Sequence, residues 1–209
     1  MNSFTGFTQQ DFDVFSIPGL EQRMEALKTN VSPKLQCIAE QIAPSLTAMT
    51  GDEMFVHVAK HARRTTNPPN DTWAAVASSK RGYKMLPHFQ IGMWESHLFI
   101  WFAMIYENPM KQHYANTLKQ HITEVRNHIP DSFVWSKDHT KPDVIHNSNL
   151  TNDSFLQLLD RLENVKKAEL LCGINIDRHD PLIANGEALI QKCEETFQTL
   201  EYLYRLTKK

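Results

Sequence analysis

The sequence predicts an α+β fold, an antiparallel sheet packed with helices, and three observations predict it. Apolar residues recur at intervals of three and four before Gly51 and again after Thr151, the period of half-buried helices. From Thr72 the pattern changes to short β-favouring runs, at Thr72 to Ser78, Leu86 to Trp94 and His97 to Tyr106, joined by connections too short for a parallel crossover. The last run is apolar at both parities, with Phe99 and Trp101 on one face and Leu98, Ile100, Phe102 and Met104 on the other. Such a strand is expected at the centre of a sheet covered on both sides.

In chain order, Ser16 is a candidate N-cap with Pro18 early in the helix, and Leu20, Met24 and Leu27 share one helical face. Ser32-Pro33 repeats the start signal; Leu35, Ile38, Ile42, Leu46 and Met49 continue the stripe, with Pro44 as a kink and Gly51 as a stop. The N-terminal layer is therefore expected over about 16–50 and a sheet-rich middle over about 54–106, beginning with a strand near Met54 to Ala59. Asn108-Pro109 opens a helix marked by Met110, Tyr114, Leu118, Ile122 and Val125 and closed by Pro130. A short strand at Ser132 to Lys137, a long loop from Lys137 to Asn149, a helix with Phe155, Leu158, Leu159, Leu162 and Val165 on one face, and a strand at Ala168 to Ile176 follow. Asp180-Pro181 is expected to cap the last helix, whose Ile190, Cys193, Phe197, Leu200 and Tyr204 face the core. One domain over 1–209 is the expectation for 209 residues with 41% hydrophobic content.

Composition argues for the cytoplasm. The three cysteines, Cys37, Cys172 and Cys193, are too scattered for a metal knuckle and too few for a disulfide framework. The first residues lack a basic stretch followed by an apolar one, so no secretory signal is expected. The longest apolar run is nine residues, about half of the ~18 that a membrane helix needs, so no membrane partner is expected.

Charge is the sharpest functional signal. Between His57 and His88 lie six Lys or Arg and one carboxylate, Asp71, a net +5 in a chain that totals −2. Such segregation fits a surface that meets an anionic small molecule or a nucleic acid. Arg63 and Arg64 precede the rigid Asn67-Pro68-Pro69-Asn70 turn, and guanidinium forks suit phosphate or carboxylate. Lys80, Arg81 and Lys84 surround Gly82, where positive φ would turn backbone N–H groups toward the anion. His88 and Gln90 share one parity of the next strand with Gly92, as the floor of a pocket would. Each basic loop also has a plainer reading, a solvated turn whose cations pair with the acidic remainder of the chain. His57-x-x-x-His61 has a metal-like spacing, but on a strand the two lie ~13 Å apart, and cations surround them. No metal site and no cofactor are expected.

Several blocks resemble a known family. SIPGLEQRMEAL at Ser16 to Leu27, HVAKHARRTTNPPNDTWAA at His57 to Ala75 and SKRGYKMLPHFQIGMW at Ser79 to Trp94 are similar to those of the YktB family of bacterial proteins, as are NVKKAE at Asn164 to Glu169 and EETF at Glu194 to Phe197. Asp138 to Asn152 departs from the pattern. The resemblance implies a single α+β domain and a cytoplasmic home, and it brings no activity, cofactor or catalytic residue with it. Three function classes stay open. One is a binding module for a phosphorylated or nucleotide-like ligand through Arg63, Arg64, Lys80, Arg81, Lys84, His88 and Gln90. The second is a hydrolase on a phosphorylated or carboxylated substrate with His61 or His88 as acid or base. The third is a protein-interaction or structural role, for which the sequence names no partner.

Overall fold

The computed structural model describes residues 4–209, so residues 1–3 of the expected domain lie outside it. The fold is α+β. Its elements are α1 (Gln9–Asp13), α2 (Leu20–Ala26), α3 (Ser32–Thr50), β1 (Phe55–Val58), β2 (Asp71–Ala77), β3 (His88–Trp94), β4 (His97–Met104), α4 (Lys111–Gln120), α5 (Ile122–His128), β5 (Val134–Ser136), β6 (Ile145–His146), α6 (Asn152–Asn164), β7 (Leu170–Asp177) and α7 (Gly186–Leu206). The strands form one seven-stranded sheet in the order β1-β2-β3-β4-β7-β5-β6, and every pairing is antiparallel.

The expected meander is there, and β4 lies between β3 and β7 with seven of its eight residues buried. Alternation then sorts the side chains. Val76, Phe89, Ile91, Ile100, Phe102, Cys172 and Ile174 point to the face that carries the helices and join the main core with Leu35, Ile42, Phe197 and Leu200. The opposite parity, Trp94, Phe99, Trp101, Ala103, Ile105 and Leu171, forms a smaller cluster with Trp73 and Val144. That second face is covered by loops rather than helices. Val144 belongs to the loop expected from residue 137, which crosses the sheet as a strap between β5 and β6.

The N-terminal helices depart from expectation in instructive ways. Ser16 caps no helix; it ends a short 3-10 turn, and its hydroxyl donates to Glu95 Oε1 at 2.6 Å. Gly19, at φ 83°, precedes α2 instead. The second start at Ser32-Pro33 does open α3, but with no break before it, because α2 runs into α3 through a wide π turn over Leu27–Val31, where Ser32 N–H reaches Leu27 O. Proline has no N–H for the carbonyl four residues back, so the helix widens just before Pro33 rather than stopping. Gly51 does end α3, at φ 74°. The helix expected after Pro109 breaks at His121 into α4 and α5. Asp180-Pro181 caps a 3-10 turn, while α7 starts five residues later with Asn185 Oδ1 accepting from Ala188 N–H at 3.1 Å.

Candidate functional site

β1 is an edge strand whose four residues are all half-buried. Residues 56 and 58 point toward the helical side, and beyond the edge run α2, the π turn and the start of α3. Between them lies a cavity of about 810 Å³ with Met24, Leu27, Pro33, Val56 and Val58 as its apolar wall. Lys28, Lys60 and His61 line it too, so its apolar interior opens onto cationic groups. Glu25 and Glu40 also border it, but none of the described carboxylates comes within ion-pair distance of Lys28, Lys60 or Arg63.

His61 is the hinge of this region. It is the one non-glycine residue at positive φ among those described, at 48°. Backbone strain of this kind is maintained only where neighbours hold it. Here Nε2 lies 3.1 Å from Thr72 Oγ1 and the ring packs edge-on against Trp73. Burial pushes its pKa down to about 4, with the charges of Arg64 and Lys84 acting in the same direction. His61 is thus neutral at pH 7, and Arg64 and Lys84 stand near it. Arg63 lies on the same loop near Tyr106, exposed.

What holds the loop is a residue that the charge argument passed over. Arg23 of α2 is buried, donating from Nε to Ile17 O at 2.9 Å and from Nη1 to Pro69 O at 3.0 Å and Asn70 Oδ1 at 3.3 Å. The rigid Pro68-Pro69 turn is therefore pinned to the helix that walls the cavity. Burial lowers the Arg23 pKa; Glu95 opposes this, and Arg64 adds to it, so two guanidiniums share this corner. Arg23→Ala is expected to lower stability by about 2 kcal/mol, because two backbone carbonyls lose a charged donor. Limited proteolysis should then cut at Lys60 to Arg64 faster than in the wild type.

The remaining candidates separate. Lys84 joins the group near His61 and lies 3.8 Å from Glu107 Oε1. Lys80 turns the other way, its Nζ 5.1 Å from the centre of the Phe55 ring, where it borders a different hollow with Glu53 and His57. Arg81 is exposed with no ion pair among the described residues. Gly82 is not among the positive-φ glycines, so the left-handed conformation expected there is not adopted. His88 and Gln90 do share a face, but both are buried and neither borders the cavity beside β1 or the hollow next to Lys80. His88 Nδ1–H donates to Leu86 O at 2.8 Å, and its Nε2 accepts from Gln90 Nε2–H at 2.8 Å. With both nitrogens engaged and no exposure, His88 is a satisfied core histidine. Gly92 leaves room for Phe99 and Trp73 rather than for a ligand. His57 and His61 spend their Nε2 atoms on Ser79 O and Thr72 Oγ1, so the pair shares no metal point.

Burial holds His88 and His97 near pKa 4, as it does His61. For a base whose folded pKa lies below its unfolded value, stability is intact above about pH 6.5 and is lost as pH falls toward 4. His88, fully buried, contributes up to about 3 kcal/mol to that loss. A melting series from pH 7.5 to 4.5 should fall steadily, and His88→Gln should flatten the slope. An unchanged slope would show that other groups carry it.

Under the strap lies a group that the sequence reading did not single out. β5 and β7 pair through Ser136 and Leu171, which brings Asp138 and His139, just past β5, beside Glu169, just before β7. His139 Nδ1 is 2.8 Å from Glu169 Oε2 and 3.0 Å from Oε1, and His139 N–H donates to Oε2 at 2.9 Å. Burial disfavours charge on His139, but the bond to Glu169 and the nearby Asp71 and Glu107 outweigh it and raise its pKa. Asp71, behind it, is pushed up to about 6 by burial, against the pull of His139 and Arg64. No spacing in the sequence announces this contact, since it depends on strand order.

No helix among the described residues is long and apolar enough to cross a membrane. A family model described as "Domain of unknown function (DUF1054)" matches residues 7–204. A UPF0637 protein of Bacillus licheniformis is 53% identical over 203 residues, covering 97% of this chain and 96% of that one. Similar proteins of the same designation occur in Bacillus velezensis, 52% identical over 97% of each chain, and in Bacillus cereus, 49% identical over 97% of this chain and 98% of that one.

Proposed function

Because the chain belongs to the DUF1054 family, whose description assigns no activity, the function has to be read from the site, and we propose that it binds a small phosphorylated or similarly anionic molecule that also carries an apolar portion. The observation that carries this reading is the apolar cavity of about 810 Å³ with Lys28, Lys60 and His61 in its lining, from which the chain runs on to Arg63 and Arg64. That volume lies within the ~300–1,000 Å³ of small-molecule sites. The apolar part would lie against Met24, Leu27 and Val58, and the anionic group would meet Lys28, Lys60, Arg63 and Arg64. A loop already pinned by Arg23 loses little freedom on binding, which favours affinity. A neutral His61 can donate or accept a hydrogen bond without competing for the anion.

The two halves make separable demands. Each buried methylene contributes about 0.8 kcal/mol, roughly fourfold in affinity. A thermal-shift series with n-alkyl phosphates of increasing chain length, nucleoside monophosphates, inorganic phosphate and the matching alkanols tests them together. Stabilisation should rise with chain length and should need the phosphate. A response that ignores chain length, or equal responses to phosphate-free alkanols, would sink the reading.

A further inference from the structure

Beyond the anion site, we propose that Asp138, His139 and Glu169, with Asp71 completing the set, bind a divalent transition-metal ion of the Mn²⁺, Fe²⁺ or Zn²⁺ class. One ligand atom from each of Asp138, His139 and Glu169 lies within 4.8 Å of the other two. The 2.8 and 3.0 Å separations between His139 Nδ1 and the Glu169 oxygens match the spacing of adjacent donors around an ion with bonds of about 2.1 Å, which is roughly 3 Å. Asp138 uses Oδ1 to hold Thr140 N–H at 3.0 Å and its hydroxyl at 2.6 Å, which leaves Oδ2 with only Lys141 at 4.0 Å.

Asp71 supplies the independent observation. It is 5% exposed, and its one hydrogen bond is to its own backbone N–H. It shares a sheet face with Trp73, against whose ring His139 packs at 5.9 Å between centroids, so the carboxylate lies on the side His139 covers. A buried carboxylate held only by its own backbone N–H is costly unless something further neutralises it. Glu107, whose charge also reaches His139, has a buried Oε2 with no hydrogen bond. The charges of Asp71, Glu107, Asp138 and Glu169 thus all bear on one imidazole, and the cations near them are Lys84 beside Glu107, Arg64 near Asp71, Lys111 near Glu169 and Lys141 at the rim. One nitrogen and several carboxylate oxygens suit borderline and hard divalent ions, and the absence of a thiolate from the set disfavours soft ones. The ion would tie the strap to β2 and β7.

The experiment uses the full chain, treated with chelator and then titrated with Mn²⁺ by electron paramagnetic resonance and with Zn²⁺ by calorimetry, in buffer free of phosphate. Wild type should take up one ion per chain and melt higher when loaded. His139→Ala and Glu169→Gln should weaken binding by roughly tenfold or more. Because Glu169 also braces the strap, Asp138→Asn is the safer variant: its side chain is 40% exposed, the His139–Glu169 pair survives, and affinity should still fall. His57→Ala should leave uptake unchanged. No saturable uptake by wild type, or uptake undiminished in both Asp138→Asn and His139→Ala, would overturn the proposal.

Discussion

Gly173→Ala is expected to destabilise the fold by about 3 kcal/mol or more, although it adds one methyl group. Gly173 pairs with Trp101 on one side and Val134 on the other, in the middle of the sheet. A Cβ there would run into the carbonyl of Ile100 and lie 2.6 Å from Trp101 Cδ1 and 2.8 Å from its Cα. The first obstacle is backbone of the central strand, which cannot rotate away. Trp101 is pinned as well, stacked on Phe99 at 4.4 Å and donating from Nε1 to Asn175 Oδ1 at 3.1 Å. Close-packed interiors transmit such a clash instead of absorbing it. Gly82→Ala is the control, since its Cβ would meet nothing within 4 Å, and it should stay within about 0.5 kcal/mol of wild type. Urea unfolding should show the midpoint of Gly173→Ala falling with the slope unchanged. Equal midpoints for the two variants would mean that the loop-covered face is not packed as described.

The second large effect concerns binding. Replacing Arg63 and Arg64 together by Ala should weaken an alkyl phosphate by about 3 kcal/mol, roughly a hundredfold, because two charge-assisted contacts are lost. Stability should barely change. Both side chains are exposed, and Arg64 bonds only to Asn67 O and Pro68 O of its own loop, each at 3.4 Å. Such contacts contribute about 1 kcal/mol at most. Unfolding of the double variant would instead show that the arginines hold the loop, a role assigned here to Arg23.

Much of the scaffold was legible in the sequence because its causes are local. Pro33, Pro44 and Gly51 act on their own backbone, and the two-parity apolar run at Leu98 to Tyr106 could hardly be anything but a central strand. The placement of β7 between β4 and β5 was not legible, since strand order is decided by contacts between residues far apart in sequence. The site divides in the same way. The cationic loop around Arg63 and Arg64 shows in composition alone. The cavity does not, because its walls come from α2, α3 and β1, and neither does the role of Arg23, which reaches Pro69 across 46 residues. Parity places His88 and Gln90 on one face; what parity cannot reveal is that Leu86 O and the two side chains satisfy one another. Glycine permits positive φ at Gly82, but this turn does not use it. Asp138 and His139 lie in the segment that departs from the recognisable blocks while Glu169 ends the NVKKAE block, so only the pairing of β5 with β7 brings the three together.

The claim that one ligand has its apolar part in the cavity and its anionic part on the Arg63-Arg64 loop is tested most directly by calorimetric titration of octyl phosphate. The proteins to compare are wild type, Val58→Trp, which fills the cavity wall, and the Arg63→Ala/Arg64→Ala double variant. The account expects saturable one-to-one binding to wild type. Val58→Trp should lose the advantage of octyl over butyl phosphate, while the double variant should keep that advantage and lose affinity for both. Octyl phosphate binding with equal affinity to all three proteins, or failing to bind wild type at all, would contradict it.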